Sequence, residues 1–361
     1  MQKKNKFLII VGARPNFVKI APLYAEFKKY KEIKPVLVHT GQHYDFEMSQ
    51  IFFQELKIPK PDYNLGVGSG SHAWQTAKVM EKLEPVILKE KPDLVIVVGD
   101  VNSTLAGALV AAKLNIPVAH IEAGLRSYDK TMPEEVNRVL ADHISDFLFC
   151  PTKTAVENLK KEGIVKGVYN VGDIMYDTFL KGIKIARRKS KILEKLNLKP
   201  KTFLLLTVHR PSNVDNLENL REILKAMQES GEQTVFPAHP RTEKQLKKLK
   251  LEIRNWKLRI IPPVGYLDML RLEKNAKKIL TDSGGLQKEA YWSKIPCITL
   301  RKKTEWVETV KSGWNILVGA SPRLIKKAIR EFEGKKSADR ISPFGNRKTA
   351  KNIINILLMT K

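Results

Sequence analysis

The feature that most constrains this chain is an alternation repeated from end to end. Short aliphatic runs recur, each followed by a stretch of helical periodicity. In the first half the runs are FLIIV (7–11), VLVHT (36–40), LVIVV (94–98), VAHI (118–121), FLFC (147–150) and VYNV (168–171). A second series follows: FLLLTV (203–208), TVFP (234–237), RII (259–261), ILT (279–281), CITL (297–300) and ILV (316–318). Most runs are apolar throughout rather than alternating, as strands covered on both faces must be. Helical stretches are expected over 22–29, 73–89, 104–114 and 216–230, which makes the pattern one of βαβ units and parallel sheets.

The 361 residues suffice for two domains. A charged helical stretch, KGIKIARRKSKILEKLNLKPK from Lys181, precedes the point where the strand series restarts. The boundary is placed near 175, with one Rossmann-like domain over 1–175 and a second over 176–345. An amphipathic helix near the end (349–358, within a tail of 346–361) is expected to pack back on the first domain. The fold class is therefore α/β, two Rossmann-like domains with a cleft between them. The PDYNL segment and the glycine-rich GVGSG after it read as loop.

The charge balance, 64 Lys+Arg against 38 Asp+Glu, gives +26. Clustered cations would suit nucleic acid. Here the lysines are scattered without a long basic arm, so nucleic acid is not the expected partner and an anionic small molecule suits the charge better. Two cysteines, Cys150 and Cys297, make neither a disulfide scaffold nor a zinc cluster and suit a reducing, cytoplasmic setting. No apolar run is long enough to span a membrane, and the N-terminus lacks the apolar core of a signal peptide.

Ligands of open α/β sheets bind beyond the carboxyl ends of the strands. The residues there are polar. After the first strand, Gly12 allows a tight turn, and Arg14 and Lys19 flank a helix start, where two cations oppose the helix dipole unless an anion is bound. Later strands lead into Gly99-Asp100-Val101-Asn102 and Glu122-Ala123-Gly124, and a further helix opens at Pro133-Glu134-Glu135. Asp100 alone is equally well a helix N-cap, and Glu134 alone is routine in a first helical turn. Three carboxylates converging at one sheet edge would divide acid and base roles. In the second half His209 and His239 follow strands, each close to an arginine. The run Thr281-Asp282-Ser283-Gly284-Gly285 enters a helix whose exposed amides suit a pyrophosphate, with Glu289 placed to take a sugar's hydroxyl pair. A dinucleotide glycine fingerprint, a Walker lysine, HExxH and GxSxG are all absent from the sequence, which disfavours redox and serine-hydrolase chemistry.

Taken together, GARPNFVKIAP, HTGQHYD, VVGDVNST, HIEAGLRS, MPEEVNR, VGD, TVHRPSN, PAHP, TDSGGLQKEA, TEWVE and SPFGN resemble, in order and nearly end to end, the non-hydrolysing UDP-N-acetylglucosamine 2-epimerases. The resemblance implies the glycosyltransferase-B architecture, a homodimer, a UDP-sugar substrate, and no cofactor or metal. It implies elimination of UDP across C1–C2 to 2-acetamidoglucal, then re-addition with the opposite C2 configuration, feeding surface polysaccharide synthesis. Asp100, Glu122 and Glu134 match the acid–base set, and His209 the catalytic-site histidine near the diphosphate. Arg14, Lys19 and Arg138 match substrate-binding positions, Ser283, Gly284 and Gly285 the phosphate cradle, and Glu289 the ribose anchor. Val264 and Met269 fall in the uracil-contacting segment PPVGYLDML. Gln42, His43 and His239 match positions where some bacterial relatives hold a second UDP-GlcNAc as activator, although the arginine expected in the following loop is missing from 69–75.

The chain departs from the family at three positions. Asn16 stands where glutamate is frequent, Trp306 where TERPE has a cation, and Arg347 where PFGNG ends in glycine. Arg301 or a nearby lysine is the expected substitute for the lost cation. A 2-epimerase of a UDP-diacetamido-uronic acid, or a transferase of the same architecture, are the alternative readings.

Overall fold

The computed structural model describes residues 4–42, 53–249, 257–334 and 342–359. The chain divides into two compact units, Met1–Leu180 with Ser342–Lys361, and Lys181–Ile341. In the first, seven parallel strands are described: β1 (Asn5–Val11), β2 (Ile33–His39), β3 (Tyr63–Asn64), β4 (Leu94–Val98), β5 (Val118–Ile121), β6 (Phe147–Cys150) and β7 (Val168–Asn170). Their spatial order is β3-β2-β1-β4-β5-β6-β7. In the second, β8 (Leu204–Thr207), β9 (Thr234–Pro237), β10 (Leu258–Ile261), β11 (Lys278–Thr281), β12 (Cys297–Thr299) and β13 (Asn315–Leu317) lie in the order β10-β9-β8-β11-β12-β13. Helices alternate with the strands throughout. Each sheet is of the doubly wound kind, reversing direction between β1 and β4 and between β8 and β11, which places the ligand-binding edge of each unit at those two strand pairs.

The central strands are buried at every residue of LVIVV and LLLT, and each such aliphatic side chain contributes on the order of 1.5–3 kcal/mol by leaving water. In the first unit Leu8, Val95 and Val97 pack with Leu83, Ile87 and Val110 from two neighbouring helices. In the second, Leu204 and Leu206 join Leu220, Ile223 and Leu224 on one face, while Phe203 and Leu205 join Leu272 and Ala290 on the other.

Two expectations need correction. The PDYNL segment supplies β3, a two-residue edge strand beside β2; its polar tyrosine–asparagine pair carries no strand signal. The first helix spans Arg14–Phe27 and does not begin at Pro22. Proline 22 has no N–H for the carbonyl four residues earlier, and that carbonyl, on Val18, accepts instead from Thr178 Oγ1 at 2.7 Å. The terminal helix Thr349–Met359 packs on Arg14–Phe27 through buried Ile353, Ile354 and Leu357. Tyr30 donates to Asn355 at 3.0 Å in the same contact.

Candidate active site

In the first unit the turn after β1 is built by Asn16. Its Oδ1 accepts the Gly12 and Ala13 amides, both at 3.0 Å, and its Nδ2 donates to Val98 O at the end of β4 at 2.9 Å. The departure at position 16 thus ties together the two strands flanking the reversal point. One turn further on, Lys19 reaches across and forms a buried ion pair with Glu122. Glu122 follows β5 with φ +75°, an uncommon backbone state for a residue with a Cβ and one that concentrates at functional sites. Between them runs Gly99, φ +69°: a Cβ there would stand 2.7 Å from Lys19 Nζ and 3.6 Å from Glu122 Oε2, so only glycine leaves the pair its room.

Asp100 comes next. The following helix, Asn102–Lys113, has Val101 as its N-cap, so the Asp100 carboxylate is not a cap; it pairs with the buried Arg138. Arg138 also meets Glu135 Oε2 at 3.2 Å, and Glu135 accepts Ser127 N, Ser127 Oγ and Tyr128 N at 2.8–2.9 Å. Asn137 donates to Asp100 O at 3.0 Å. Glu134 stands half-buried in the first turn of the same helix, Pro133–His143. Lys19, Glu122, Asp100 and Arg138 are therefore gathered around one sheet edge. Glu135 and Asn137, which sequence reasoning passed over, hold that arrangement. Arg14 opens the helix Arg14–Phe27.

Gln42 is buried and its amide is engaged internally: Oε1 accepts from Ser103 Oγ at 2.7 Å, and its backbone carbonyl accepts from Gln75 at 3.0 Å. His43 lies outside the described residues. His239 belongs to the second unit, where its Nδ1 caps the helix Pro240–Lys248 by accepting Arg241 N at 3.3 Å.

In the second unit the organising group is Asp282, at the reversal point after β11 and wholly buried. Its carboxylate accepts His209 N, Arg210 N and Asn213 Nδ2 at 3.0–3.1 Å, and faces His209 Nδ1 at 3.2 Å. The imidazole of His209 is thereby oriented with Nε2 directed away from the carboxylate, while its side chain stays 45% exposed. Ser283 caps the helix Gly284–Ser293. The approach to that helix start is close: a Cβ on Gly284 would stand 2.5 Å from Glu305 Oε1 and 3.1 Å from Trp306 Nε1. Glu305 is held by Arg301 at 2.8 Å. Beneath Trp306, buried Lys288 places its ammonium 3.8 Å from the ring centroid. A cation thus stands against Trp306, supplied from position 288. Glu289 is buried and accepts from Tyr266 Oη at 3.0 Å. Val264 and Met269 are half-buried against the core of this unit. Arg347, on the first unit, lies 6.0 Å from the Tyr176 ring with φ +70°.

Such an arrangement can bind a diphosphate at a helix N-terminus and move protons with carboxylates paired to cations. Among the described residues no cluster of His, Cys, Asp and Glu is placed to hold a metal ion. The family model for UDP-N-acetylglucosamine 2-epimerase matches residues 25–358. The chain belongs to the UDP-N-acetylglucosamine 2-epimerase family. A UDP-N-acetylglucosamine 2-epimerase homolog of Methanococcus maripaludis is 58% identical, over 91% of this chain and 92% of that protein. The UDP-2,3-diacetamido-2,3-dideoxy-D-glucuronate 2-epimerase of Pseudomonas aeruginosa is 44% identical over 98% of this chain and 99% of its own. The crystal structure of the Methanocaldococcus jannaschii UDP-GlcNAc 2-epimerase in complex with UDP-GlcNAc and UDP superimposes with TM-score 0.92 at 47% identity, covering 98% of this chain and 99% of that one.

Proposed function

We propose that this chain interconverts UDP-GlcNAc and UDP-ManNAc. The observation carrying the reading is the buried Lys19–Glu122 pair, set beside Gly99–Asp100 and Arg138 at the reversal point of the first sheet. The C2 hydrogen of the sugar is not adjacent to a carbonyl, so its removal needs a leaving group on C1. Elimination of UDP supplies one: the C2–H bond and the C1–O bond break, and the C1–C2 double bond of 2-acetamidoglucal forms. Asp100, Glu122 and Glu134 share the proton transfers at C2 and at the departing oxygen. His209, oriented by Asp282, and the amides of Gly284 and Gly285 stabilise the departing diphosphate, and Glu289 takes the ribose hydroxyls. Re-addition of UDP with protonation on the opposite face gives the C2 epimer.

The active form is inferred to be a homodimer, which the resemblance implies. Val136 and Leu140, 43% and 47% exposed on one face of Pro133–His143, are apolar surface suited to a second copy. A cytoplasmic setting is supported by the two buried free thiols; among the described residues no helix is long and apolar enough to cross a membrane. The product would feed surface polysaccharide synthesis.

Proton NMR of the purified protein with UDP-GlcNAc in D₂O tests the reading. UDP-ManNAc bearing deuterium at C2 is the expected product, without any added nicotinamide. Unchanged UDP-GlcNAc in the presence of tight UDP binding would refute the substrate assignment and point to another UDP-sugar. No UDP binding would refute the nucleotide site.

A further inference from the structure

Beneath the two turns that carry Asp100 and Glu122 runs a line of buried polar side chains that never reaches the surface of the site. His120, on β5, is 0% exposed and so cannot touch a substrate. Its Nε2 lies 2.8 Å from Gly99 O, and its Nδ1 lies 2.7 Å from Asp142 Oδ1. A backbone carbonyl only accepts, so Nε2 carries a proton and donates it to Gly99; the Nδ1–Asp142 contact holds a second proton between ring and carboxylate. Asp142 Oδ2 accepts Gly124 N at 3.0 Å and Arg126 Nη1 at 2.7 Å. Arg126 ends the buried line with a two-pronged contact to the exposed Glu162, both prongs at 2.7 Å. Burial opposes ionisation of Asp142, but the hydrogen bond from His120 and the charge of Arg126 outweigh it and hold the carboxyl below its usual range.

Three backbone states along these turns are left-handed: Gly99 at φ +69°, Glu122 at +75° and Gly124 at +78°. The network grips two of the three directly. His120 holds the carbonyl of Gly99, the residue immediately before Asp100. Asp142 holds the amide of Gly124, two residues after Glu122, while Asn158 donates to Gly124 O at 3.0 Å. The turn is also held from β6, where Phe149 O accepts Glu122 N at 3.1 Å and Ala123 N at 3.2 Å.

We propose that His120 is a positioning residue for the epimerisation: tethered to Asp142, it fixes the carbonyl of Gly99 and through it the orientation of Asp100 opposite the Lys19–Glu122 pair. This inference rests on the epimerase reading above. It assigns His120 no contact with substrate and no proton transfer to it.

Two substitutions separate the two tethers of the ring. In His120→Gln the amide nitrogen takes the place of Nε2 and keeps the donor to Gly99 O. In His120→Asn it takes the place of Nδ1, keeps the donor to Asp142 and releases Gly99. His120→Asn is expected to lower kcat about a hundredfold, the scale of a misplacement of about 1 Å, with KM and UDP affinity unchanged. His120→Gln is expected to recover about tenfold of that loss. Equal kcat values for the two variants, or loss of UDP affinity in step with kcat, would make His120 merely structural and overturn the proposal. So would unaltered kcat in His120→Asn. Wild-type protein carrying ¹⁵N-labelled histidine gives a check that needs no variant. His120 Nε2 must be protonated and slow to exchange with and without UDP; a bare Nε2 overturns the assignment. Failure of the wild type to epimerise UDP-GlcNAc would instead refute the function reading, so the two outcomes are distinguishable.

Discussion

Glu273 provides the sharpest test of the physical picture, because it is a carboxyl group in the wrong place. It lies on the helix Tyr266–Asn275, 0% exposed, and among the described residues neither of its oxygens has a hydrogen-bond partner. Burial first, and the charge of Glu289 second, push its carboxyl well above the ordinary carboxylate range. The folded protein therefore keeps this proton after the unfolded chain, whose glutamate ionises near 4.5, has released it. With the native state binding more protons, stability falls as pH rises above 4.5, by about 1.4 kcal/mol per pH unit, until the native carboxyl itself ionises. Replacing it by an unbranched apolar side chain, Glu273→Met, removes both penalties. At low pH the variant should be more stable by about 1–3 kcal/mol, the cost of burying a polar group without a partner. The gap should then widen by about 1.4 kcal/mol for each pH unit through the window. Urea unfolding at several pH values, followed by the fluorescence of Trp292, Trp306 and Trp314 in the second unit, measures the difference between the two proteins. Parallel stability curves for wild type and variant would refute the reasoning, as would a variant less stable than wild type at every pH.

Three further outcomes are expected. Asp100→Asn, Glu122→Gln and Glu134→Gln should each lower turnover by about 10²–10⁴-fold while UDP affinity stays unchanged, measured by coupled assay and calorimetry; loss of UDP binding in all three would mark them as structural. Gly284→Ala should weaken UDP binding by roughly tenfold, about 1.4 kcal/mol, since the new Cβ meets a Glu305 carboxylate already held by Arg301; unaltered affinity in a titration would remove Gly284 from the cradle. Asp282→Asn should cost about 1–3 kcal/mol of stability, because its amide presents N–H groups to backbone donors. It should also lower kcat beyond any change in UDP affinity, because His209 loses its orienting carboxylate; wild-type kcat in that variant would sink the orienting role.

The parallel sheets were legible because a strand covered on both faces must be apolar at every position, and LVIVV and LLLT leave no other reading. Legibility failed where the deciding interaction is distant in sequence. Nothing near Pro22 announces that Thr178 will satisfy the carbonyl a proline abandons, so the run of the helix from Arg14 on through Pro22 could not be read locally. Likewise β3 exists because β2 offers it an edge, and no property of Tyr63–Asn64 would place it there.

The site divides in the same way. Asp100, Glu122, His209 and Ser283 follow from a rule about strand ends, which needs only the strands. Asn16, Glu135 and the His120–Asp142 line do not, because each acts by gripping a group brought close only by the fold; Asp282 stands at a strand end, but its grip on the His209 and Arg210 amides is visible only in the fold. Position 306 shows what this costs a motif reading. Judged by itself, tryptophan in the TERPE position is a lost cation at a phosphate site. In three dimensions the same tryptophan covers the ammonium of Lys288, one turn into the helix Gly284–Ser293. An ammonium against a ring face is held by the ring's negative quadrupole, and a buried lysine needs such a partner. The tryptophan and the lysine are thus one feature, in which the positive charge moves from the strand-side loop to the helix. A single sequence can show the missing charge, but only the fold can show where it went.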